Sequence, residues 1–531
     1  MFLNLQAKSS AGREGLSSML RAICRNIGKF SKSRTLSNTL YLSAIIFFLI
    51  FIFLPAVFVL SMGTKVEINS EVLGALSNSF QIALIATFVS LLFGIPMAWM
   101  ISRSHGMKKE ILNSLVDMPL ILPTAALGFS VYLFWGSQYS LAILEKGFWM
   151  IAALHTAFVF PYVVRTVSAA FEELDLAYET AARSLGANLL TVFRTVSFPL
   201  VKSAVIIGAM LAFTHSLCET GATMMVAGAV STAPILVLDY KNAGDIPSAA
   251  STSIILIIFA VSFLFLAKYV ARRASFSFDG VSPRMEARLN RLSPLRDCAV
   301  LCFFFLLILV PAFFLFIFLL QPQEFPPSEQ ISLIINSLVT SFAIAAAVTI
   351  VNLVFGFSMA MLIGKNKWGL GKVFESANEV VLVVPTSALG FSLALYWGGL
   401  QLPEILVIAL AHLSFTYPFV VTPIAAAVSQ LDRNLAEAAS TLGANPFRIL
   451  HTITFPIILP SVLAGVVMAF MRSISETGAT LAVAKNVSTV PVLIVGLVKA
   501  ERLYEAAIAC AILFVVSFVF LIIMRRGAKH A

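Results

Sequence analysis

The segment PTAALGFSVYLFWG occupies residues 123–136, and a near copy, PTSALGFSLALYWG, occupies residues 385–398. Two further pairs of segments repeat at one common spacing, namely 181–199 with 438–456 and 219–237 with 476–494. The shared positions include Gly, Pro, Glu and Thr, which chance similarity between apolar segments would not preserve. The repeats therefore predict a duplicated fold.

The composition places this fold in a membrane. Of 531 residues, 59% are hydrophobic and only 12% are charged, whereas about a quarter of the residues in soluble domains are charged. A soluble enzyme, a disordered chain and a disulfide scaffold are therefore excluded. The five cysteines are scattered without metal or disulfide spacing and are interpreted as small buried hydrophobes. The net charge of +10 lies between apolar runs and indicates membrane topology, not nucleic-acid binding.

Apolar runs of about 20 residues, the length that crosses a bilayer, recur along the chain. They predict an all-α polytopic membrane protein with about twelve transmembrane helices as two parallel six-helix repeats. The predicted spans of the first repeat lie near 41–62, 77–101, 113–136, 147–166, 203–226 and 250–269. Those of the second repeat lie near 298–320, 336–363, 378–400, 403–423, 459–482 and 506–525.

Basic residues set the predicted orientation. A basic N-terminal tail at 1–40 and alternate basic loops place both termini in the cytoplasm under the positive-inside rule. The loop at 483–505 is an exception, because it carries three basic residues on the predicted outer side. The predicted domains are a first repeat at 41–270, a cytoplasmic linker at 271–297 and a second repeat at 298–531. Six spans in each repeat give both the same orientation, which makes a parallel repeat. A channel, a secondary transporter and an ATP-driven permease all fit this pattern.

The longest polar loop within each repeat lies on the predicted cytoplasmic side. Loop A spans residues 167–202 and loop B spans residues 424–458. Each has a stretch of helical composition that ends at a glycine, Gly186 or Gly443, and glycine after a helix is a C-cap signal. Each loop therefore predicts a helix, a turn and a second helix at the membrane surface. The small uncharged residues of loop A favour close docking of a partner over anchoring among lipid headgroups.

Loop B resembles the cytoplasmic signature of type I ABC importer permeases, which is Glu-Ala-Ala, three residues, Gly and a distant Pro. The matching residues are Glu437, Ala438, Ala439, Gly443 and Pro456. Loop A matches at Ala181, Ala182, Gly186 and Pro199, but Thr180 stands at the position of the acid and Glu179 precedes it. The resemblance covers most of both repeats. It implies that each loop docks in a groove of a separate ATPase subunit, whose closure on ATP turns the pore outward.

The sequence contains no G-x-x-x-x-G-K-[ST] motif, which cradles ATP phosphates in P-loop proteins. The chain is thus expected to be a transport subunit and not an enzyme, with no cofactor of its own and with ATP bound by the partner. The resemblance implies two cytoplasmic ABC ATPase subunits and an extracytoplasmic solute-binding protein as partners. It also implies a multi-pass protein of the cytoplasmic membrane, and nucleic acid is not an expected partner.

Two acids recur at the same place in the fifth span of each repeat, Glu219 and Glu476. A carboxylate at membrane depth needs a partner, and the sequence offers His215 and Arg472, each four residues earlier on one helix face. The acids are either a gate or solute-lining pair, with Thr220 and Thr477, or an ion pair that fixes packing. Helix breaks at Pro123 and Pro385 are expected to line part of the pathway. No metal site is predicted.

The sequence does not decide the identity of the transported solute. Fusion of two repeats resembles the ferric-iron and thiamine permeases, whereas residues 219–228 resemble the molybdate, tungstate and sulfate permeases. As candidate solutes, ferric iron and an oxyanion are favoured equally, and both are favoured over thiamine or a polyamine. The alternative class is a secondary transporter driven by an ion gradient, with Glu219 and Glu476 as proton sites.

Overall fold

A computed structural model describes residues 34–62, 68–273, 288, 290–321, 326–366 and 369–530. The regular structure in these residues is helical. Nine helices in the described ranges are long and apolar enough to cross a membrane, or up to eleven if each of two bent helix pairs is one span. The predicted twelfth span falls within the helix Leu503–His530. The predicted all-α polytopic class is confirmed. Most of the predicted tail at 1–40 and of the linker at 271–297 lies outside the described residues.

The helices of the two halves follow the same order. Those of the first half are Arg34–Phe47, Leu54–Val57, Ser70–Ser102, Gly106–Ile121, Thr124–Trp135, Phe148–Glu173, Leu176–Ser184, Leu189–Val192, Phe198–Cys218, Gly221–Val226, Ala233–Asn242 and Ile246–Arg273. Those of the second half are Ser293–Phe303, Val310–Phe318, Ser328–Gly364, Gly371–Val383, Thr386–Gly398, Glu404–Ser429, Arg433–Thr441, Pro446–Ile449, Phe455–Ile474, Gly478–Val483, Val490–Lys499 and Leu503–His530. Short π-helical turns at Phe48–Phe53, Phe193–Ser197, Phe304–Leu309 and Leu450–Thr454, and a 3₁₀ turn at Phe58–Met62, join some of them.

The third span of each half is bent. The helices on either side of the break cross at 95° in the first half and at 105° in the second. The residue before each proline, Leu122 or Val384, has extended backbone angles, because the proline ring disfavours the helical conformation there. The helix breaks predicted at Pro123 and Pro385 within the spans near 113–136 and 378–400 are therefore present.

The fifth span of each half also ends earlier than predicted. The helices stop at Cys218 and Ile474 and restart at Gly221 and Gly478. The continuous spans predicted to residues 226 and 482 are therefore wrong. The breaks fall at Glu219 and Thr220 and at 475–477, which are short polar stretches between apolar residues, so hydropathy averaged over a whole span does not locate them.

The first span of each half packs against the opposite half. Asn38–Met62 contacts helices Ser328–Gly364 and Glu404–Ser429, and Ser293–Phe318 contacts Ser70–Ser102 and Thr124–Trp135. The two halves are thus intertwined and do not form two separate six-helix bundles.

Paired hydrogen bonds hold the first span of each half against the opposite half. Ser392 Oγ donates to the Pro55 carbonyl at 2.7 Å and accepts the Val59 N–H at 2.9 Å. At the equivalent place, Ser130 Oγ donates to the Pro311 carbonyl at 2.7 Å and accepts a backbone N–H at 3.0 Å. Each serine lies in the repeated segment that begins at Pro123 or Pro385, and each hydroxyl both donates and accepts a hydrogen bond inside the bundle.

Candidate functional site

Loop A folds as a helix, a turn and a helix. The Asp175 side chain accepts the Ala177 N–H at 2.9 Å and caps the helix Leu176–Ser184. Gly186 follows the helix with φ of +87°, a conformation that glycine adopts without strain. The next N–H, of Ala187, returns to the Ala182 carbonyl at 3.1 Å. This closing bond is typical of a Schellman turn, and the predicted glycine C-cap is present.

Loop B repeats this geometry. Asp432 accepts the Asn434 N–H at 2.9 Å, and Gly443 has φ of +81°. The Ala444 N–H donates to the Ala439 carbonyl at 3.0 Å. In both loops the chain then passes through a π-helical turn into the fifth span, where Pro199 and Pro456 occupy the first helical turn. Each proline lies just after the π-helical turn within a continuous helix, and such a wider turn accommodates a residue that lacks an N–H donor.

The outer surface of each loop carries small alanines among polar side chains. Ala181 and Ala438 are exposed, and Ala182 and Ala439 are half-buried. The sequence reasoning missed the two leucines before the glycines. Leu185 is 89% exposed and Leu442 is 88% exposed, although a burial of this side chain would be worth about 1.5–3 kcal/mol. Their recurrence directly before each C-cap glycine was the available signal.

The acids of the two loops have different environments. Glu179 forms an ion pair with Arg103, accepts the Ser197 hydroxyl at 2.7 Å, and is only 12% exposed. Glu437 is exposed, and in loop B the position equivalent to Glu179 is Ala436. Ala436 and Glu437 line an open pocket of about 300 Å³. Glu179 therefore ties loop A to the helix Ser70–Ser102, while Glu437 faces outward.

Replacing Glu179 with Gln is expected to weaken the attachment of loop A to the helix Ser70–Ser102. The charged hydrogen bonds it makes are worth about 1–2 kcal/mol after allowance for partial exposure. Thermal melting of the purified chain should therefore fall by about 2–4 °C. Glu437→Gln is the matched control and should leave the melting temperature unchanged, because that carboxylate is exposed. Equal shifts for both variants would contradict the different roles.

The two central acids are buried at the helix breaks. Glu219 is 6% exposed and Glu476 is 3% exposed. Each Oε1 accepts a backbone N–H at 2.9 Å, from Ala222 and from Ala479 respectively. These bonds satisfy the first N–H groups of the short helices that follow. The carboxylates thus replace the backbone bonds lost at each break.

The Glu-Thr-Gly-Ala-Thr segments at 219–223 and 476–480 meet between the halves. A Cβ placed on Gly221 would lie 2.5 Å from the Thr477 Cβ, and one on Gly478 would lie 3.0 Å from the Thr220 Cβ. Only a residue without a side chain fits at such separations. The structure therefore brings Thr220 and Thr477 together with both acids at the boundary of the halves.

The segments that begin at Pro123 and Pro385 pack directly on these central segments. A Cβ on Gly128 would lie 2.6 Å from the Ala222 carbonyl oxygen, and one on Gly390 would lie 2.7 Å from that of Ala479. Pro123 and Pro385 precede the helices that carry these glycines. Two of the three repeated motifs of each half are therefore packed directly against each other.

The two predicted ion pairs have different outcomes. Arg472 Nη2 lies 3.7 Å from Glu476 Oε2, so that pair is present. His215 makes no ion pair with Glu219 in the described structure; its Nδ1 lies 3.1 Å from the Leu211 carbonyl oxygen, and its ring lies against Tyr162. The prediction of a His215–Glu219 pair is wrong because the His215 ring is placed against Leu211 and Tyr162 instead.

The buried histidines of the two halves serve as hydrogen-bond junctions. The His155 ring nitrogens lie 2.8 Å from Ser216 Oγ and 2.9 Å from Thr223 Oγ1. His412 makes the same two contacts, at the same distances, in the second half. Each histidine thus joins the fourth span to both sides of the break in the fifth. In the described ranges, no group of three or more His, Cys, Asp or Glu side chains could hold a metal ion.

The chain belongs to the family described as binding-protein-dependent transport system inner membrane component. Two copies of the family domain match, at residues 90–276 and 352–528. The chain is therefore a multi-pass inner membrane permease subunit of an ABC importer for a small solute, not a catalytic subunit. The resemblance drawn from loops A and B is confirmed.

Relatives with different solutes match the chain. The sulfate transport system permease protein CysT of Salmonella typhimurium is 35% identical over 216 residues, 37% of this chain and 77% of the relative. The molybdate/tungstate transport system permease protein WtpB of Pyrococcus abyssi is 29% identical over 41% of this chain and 90% of the relative. The Fe(3+)-transport system permease protein FbpB 2 of Haemophilus influenzae is 23% identical over 82% of this chain and 87% of the relative.

Proposed function

We propose that this chain is the fused membrane subunit of an ABC importer that moves a small solute into the cytoplasm. Loops A and B would each dock one cytoplasmic ATPase subunit, and an extracytoplasmic binding protein would deliver the solute. ATP would be bound by the ATPase subunits. Both termini would be cytoplasmic, and the two repeats at 41–270 and 298–531 would be joined by a cytoplasmic linker at 271–297.

The observation that carries this proposal is the pair of matching docking surfaces. Each presents an exposed leucine, Leu185 or Leu442, beside a small alanine surface at the end of a capped helix. A helix with an apolar face is suited to insertion in a groove of a partner. Two copies of this surface on one chain fit two copies of a partner subunit.

The fifth spans connect these surfaces with the boundary of the halves. The segments Leu189–Cys218 and Pro446–Ile474 have 30 and 29 residues, which makes each about 45 Å long. One end of each continues from loop A or loop B, and the other end leads to Glu219 or Glu476. A displacement of both loops by an ATPase dimer would therefore move the segments that meet at the centre. This supports an alternating-access mechanism driven from the loops.

The solute candidates are ferric iron and a tetrahedral oxyanion such as sulfate, molybdate or tungstate, with thiamine or a polyamine behind them. Support for the oxyanions comes from CysT and WtpB, whose names give sulfate and molybdate/tungstate. Support for iron comes from FbpB 2, which matches most of both halves.

Uptake in cells that lack ATP synthase separates this proposal from a gradient-driven transporter. A protonophore collapses the proton gradient in such cells while glycolysis maintains ATP. We expect uptake of radiolabelled sulfate, molybdate or ferric citrate through this chain to continue after the protonophore is added, and to stop when glycolysis is blocked. Loss of uptake with the protonophore alone would favour the gradient-driven alternative.

A further inference from the structure

An apolar groove lies on the surface of the second half, next to loop B. It runs between the helix Ser328–Gly364 and the segment Pro446–Ile474. Its volume is about 360 Å³, within the range of pockets that hold small ligands. Seven of the eight described side chains that line it are apolar, among them Leu353, Val354, Phe357, Leu450 and Phe455, and the eighth is His451.

The groove faces the lipid of the bilayer. Val354 is 61% exposed, and Ile350 and Ile457 on the two flanking helices are 63% and 52% exposed. Val354 lies ten residues before the helix end at Gly364, which is about 15 Å along the helix. The basic loop predicted on the cytoplasmic side follows that end, and the hydrocarbon core of a bilayer is about 30 Å thick. The groove therefore lies in the leaflet on the predicted cytoplasmic side.

The first half packs aromatic rings at the corresponding place. Phe193 is the equivalent of Leu450, and its ring centroid lies 5.0 Å from that of Trp99 and 5.8 Å from that of Phe198. The equivalent of Trp99 is Met361. The second half thus has two smaller side chains where the first half has two rings. Because an unfilled space loses dispersion contacts, another group is expected to occupy the groove.

An arginine and a histidine lie at the end of the groove nearest loop B. His451 lines the groove, and its ring is stacked on that of Phe447 with the centroids 6.4 Å apart. Arg448 is three residues earlier on the same side of the helix and is exposed. No acidic side chain is among the described residues that line the groove. This end of the groove therefore suits an anionic group.

We propose that the groove binds one acyl chain of an anionic phospholipid, whose phosphate contacts Arg448 and His451. The apolar walls hold the hydrocarbon chain, and the guanidinium donates hydrogen bonds to the phosphate oxygens. Basic pockets between transmembrane helices on the cytoplasmic side are typical sites for anionic headgroups. The site belongs to the membrane subunit alone, so this inference goes beyond the proposed importer function and does not depend on it.

The lipid contacts the segment that joins loop B to the fifth span. Leu450 and His451 belong to the π-helical turn Leu450–Thr454, and Phe455 begins the helix that follows. The equivalent of Arg448 in the first half is Thr191, beside the ring of Phe193. The chain therefore binds one such lipid, next to loop B, and not a symmetric pair.

Native mass spectrometry of the purified full-length chain tests this inference. The delipidated chain is titrated with dioleoyl phosphatidylglycerol, with dioleoyl phosphatidylcholine, which has the same acyl chains and no net charge, or with glycerol 3-phosphate. We expect one phosphatidylglycerol per chain, with a Kd about tenfold or more below that of phosphatidylcholine, the difference typical of a charged hydrogen bond. Glycerol 3-phosphate should not compete, because it lacks the acyl chains. Equal affinity for the two lipids, or a chain dimer that lipid does not dissociate, would overturn the inference.

Two variants separate the headgroup contact from the acyl-chain contact. Arg448→Ala should abolish the preference for phosphatidylglycerol over phosphatidylcholine, and Leu450→Phe, which copies the first half, should weaken binding of phosphatidylglycerol about tenfold by filling the groove. Lys108→Ala removes the same charge from an exposed residue of the first half and should keep the preference. Because Arg448 is exposed, its replacement leaves the fold intact, and an unchanged preference in that variant would overturn the inference.

Discussion

Replacing Leu185 and Leu442 together with Asp is expected to detach the ATPase from the permease. Both side chains are almost fully exposed at the tips of loops A and B. Burial of a leucine in a partner groove contributes about 1.5–3 kcal/mol, so loss of both weakens the complex by about a hundredfold or more. The measurement is the molar ratio of ATPase to tagged permease after purification in mild detergent.

A matched control comes from the chain itself. Leu320 is 84% exposed and precedes the loop predicted on the outer side, so Leu320→Asp should retain the ATPase in full. Bulky substitution of Ala439, for example by Trp, should weaken docking as the leucine variants do. A normal ATPase ratio in the double Leu185 and Leu442 variant would mean that the docking surface lies elsewhere on the chain.

The second large effect is expected at Gly128. A methyl group there would lie 2.6 Å from the Ala222 carbonyl oxygen and 2.8 Å from the Ala222 Cα. Both are backbone atoms, so relief requires two helices to separate, at a cost of about 1–3 kcal/mol. We expect Gly128→Ala to lower the melting temperature of the purified chain by several degrees and to reduce the monodisperse fraction in size-exclusion chromatography.

Gly74→Ala is the control for this substitution. Gly74 is also helical, but no atom lies within 4 Å of its added Cβ. Alanine should be neutral or stabilising there by up to about 1 kcal/mol, since it favours the helix. Equal melting temperatures for Gly128→Ala and Gly74→Ala would contradict the close packing of the repeated segments.

Much of the fold followed from local signals. The repeats gave the two halves, hydropathy placed the spans, and the glycines at 186 and 443 marked the C-caps of loops A and B. These features depend on residues close in sequence, where periodicity and backbone preference act directly. The breaks at Pro123 and Pro385 were likewise predicted, because proline disfavours a helical residue before it.

Features that depend on distant contacts were missed. The packing of each first span against the opposite half depends on hydrogen bonds such as that from the Ser392 hydroxyl to the Pro55 carbonyl. These two residues are 337 positions apart, and no local sequence pattern encodes such a contact. At the break in the fifth span the Glu219 carboxylate accepts the Ala222 N–H, a bond that no local hydropathy pattern encodes. The exposure of Leu185 and Leu442 was missed because apolar residues near a helix end normally pack inward.

The halves depart from symmetry at two informative positions. Glu179 is tied to Arg103, whereas its equivalent is Ala436 beside an open pocket. His215 lies against Tyr162, whereas its equivalent, Arg472, forms an ion pair with Glu476. In a duplicated chain each half can change independently, so the two sides of the molecule differ in charge and hydrogen bonding at these positions.

The central claim is that an ATPase drives transport through loops A and B. The most direct test is purification of the tagged full-length chain from its own membranes in mild detergent, with mass spectrometry of the proteins that stay bound. We expect two copies of a subunit with a G-x-x-x-x-G-K-[ST] motif for each chain, and their loss in the double Leu185 and Leu442 variant. Reproducible absence of such a subunit from the folded wild-type chain would contradict the account.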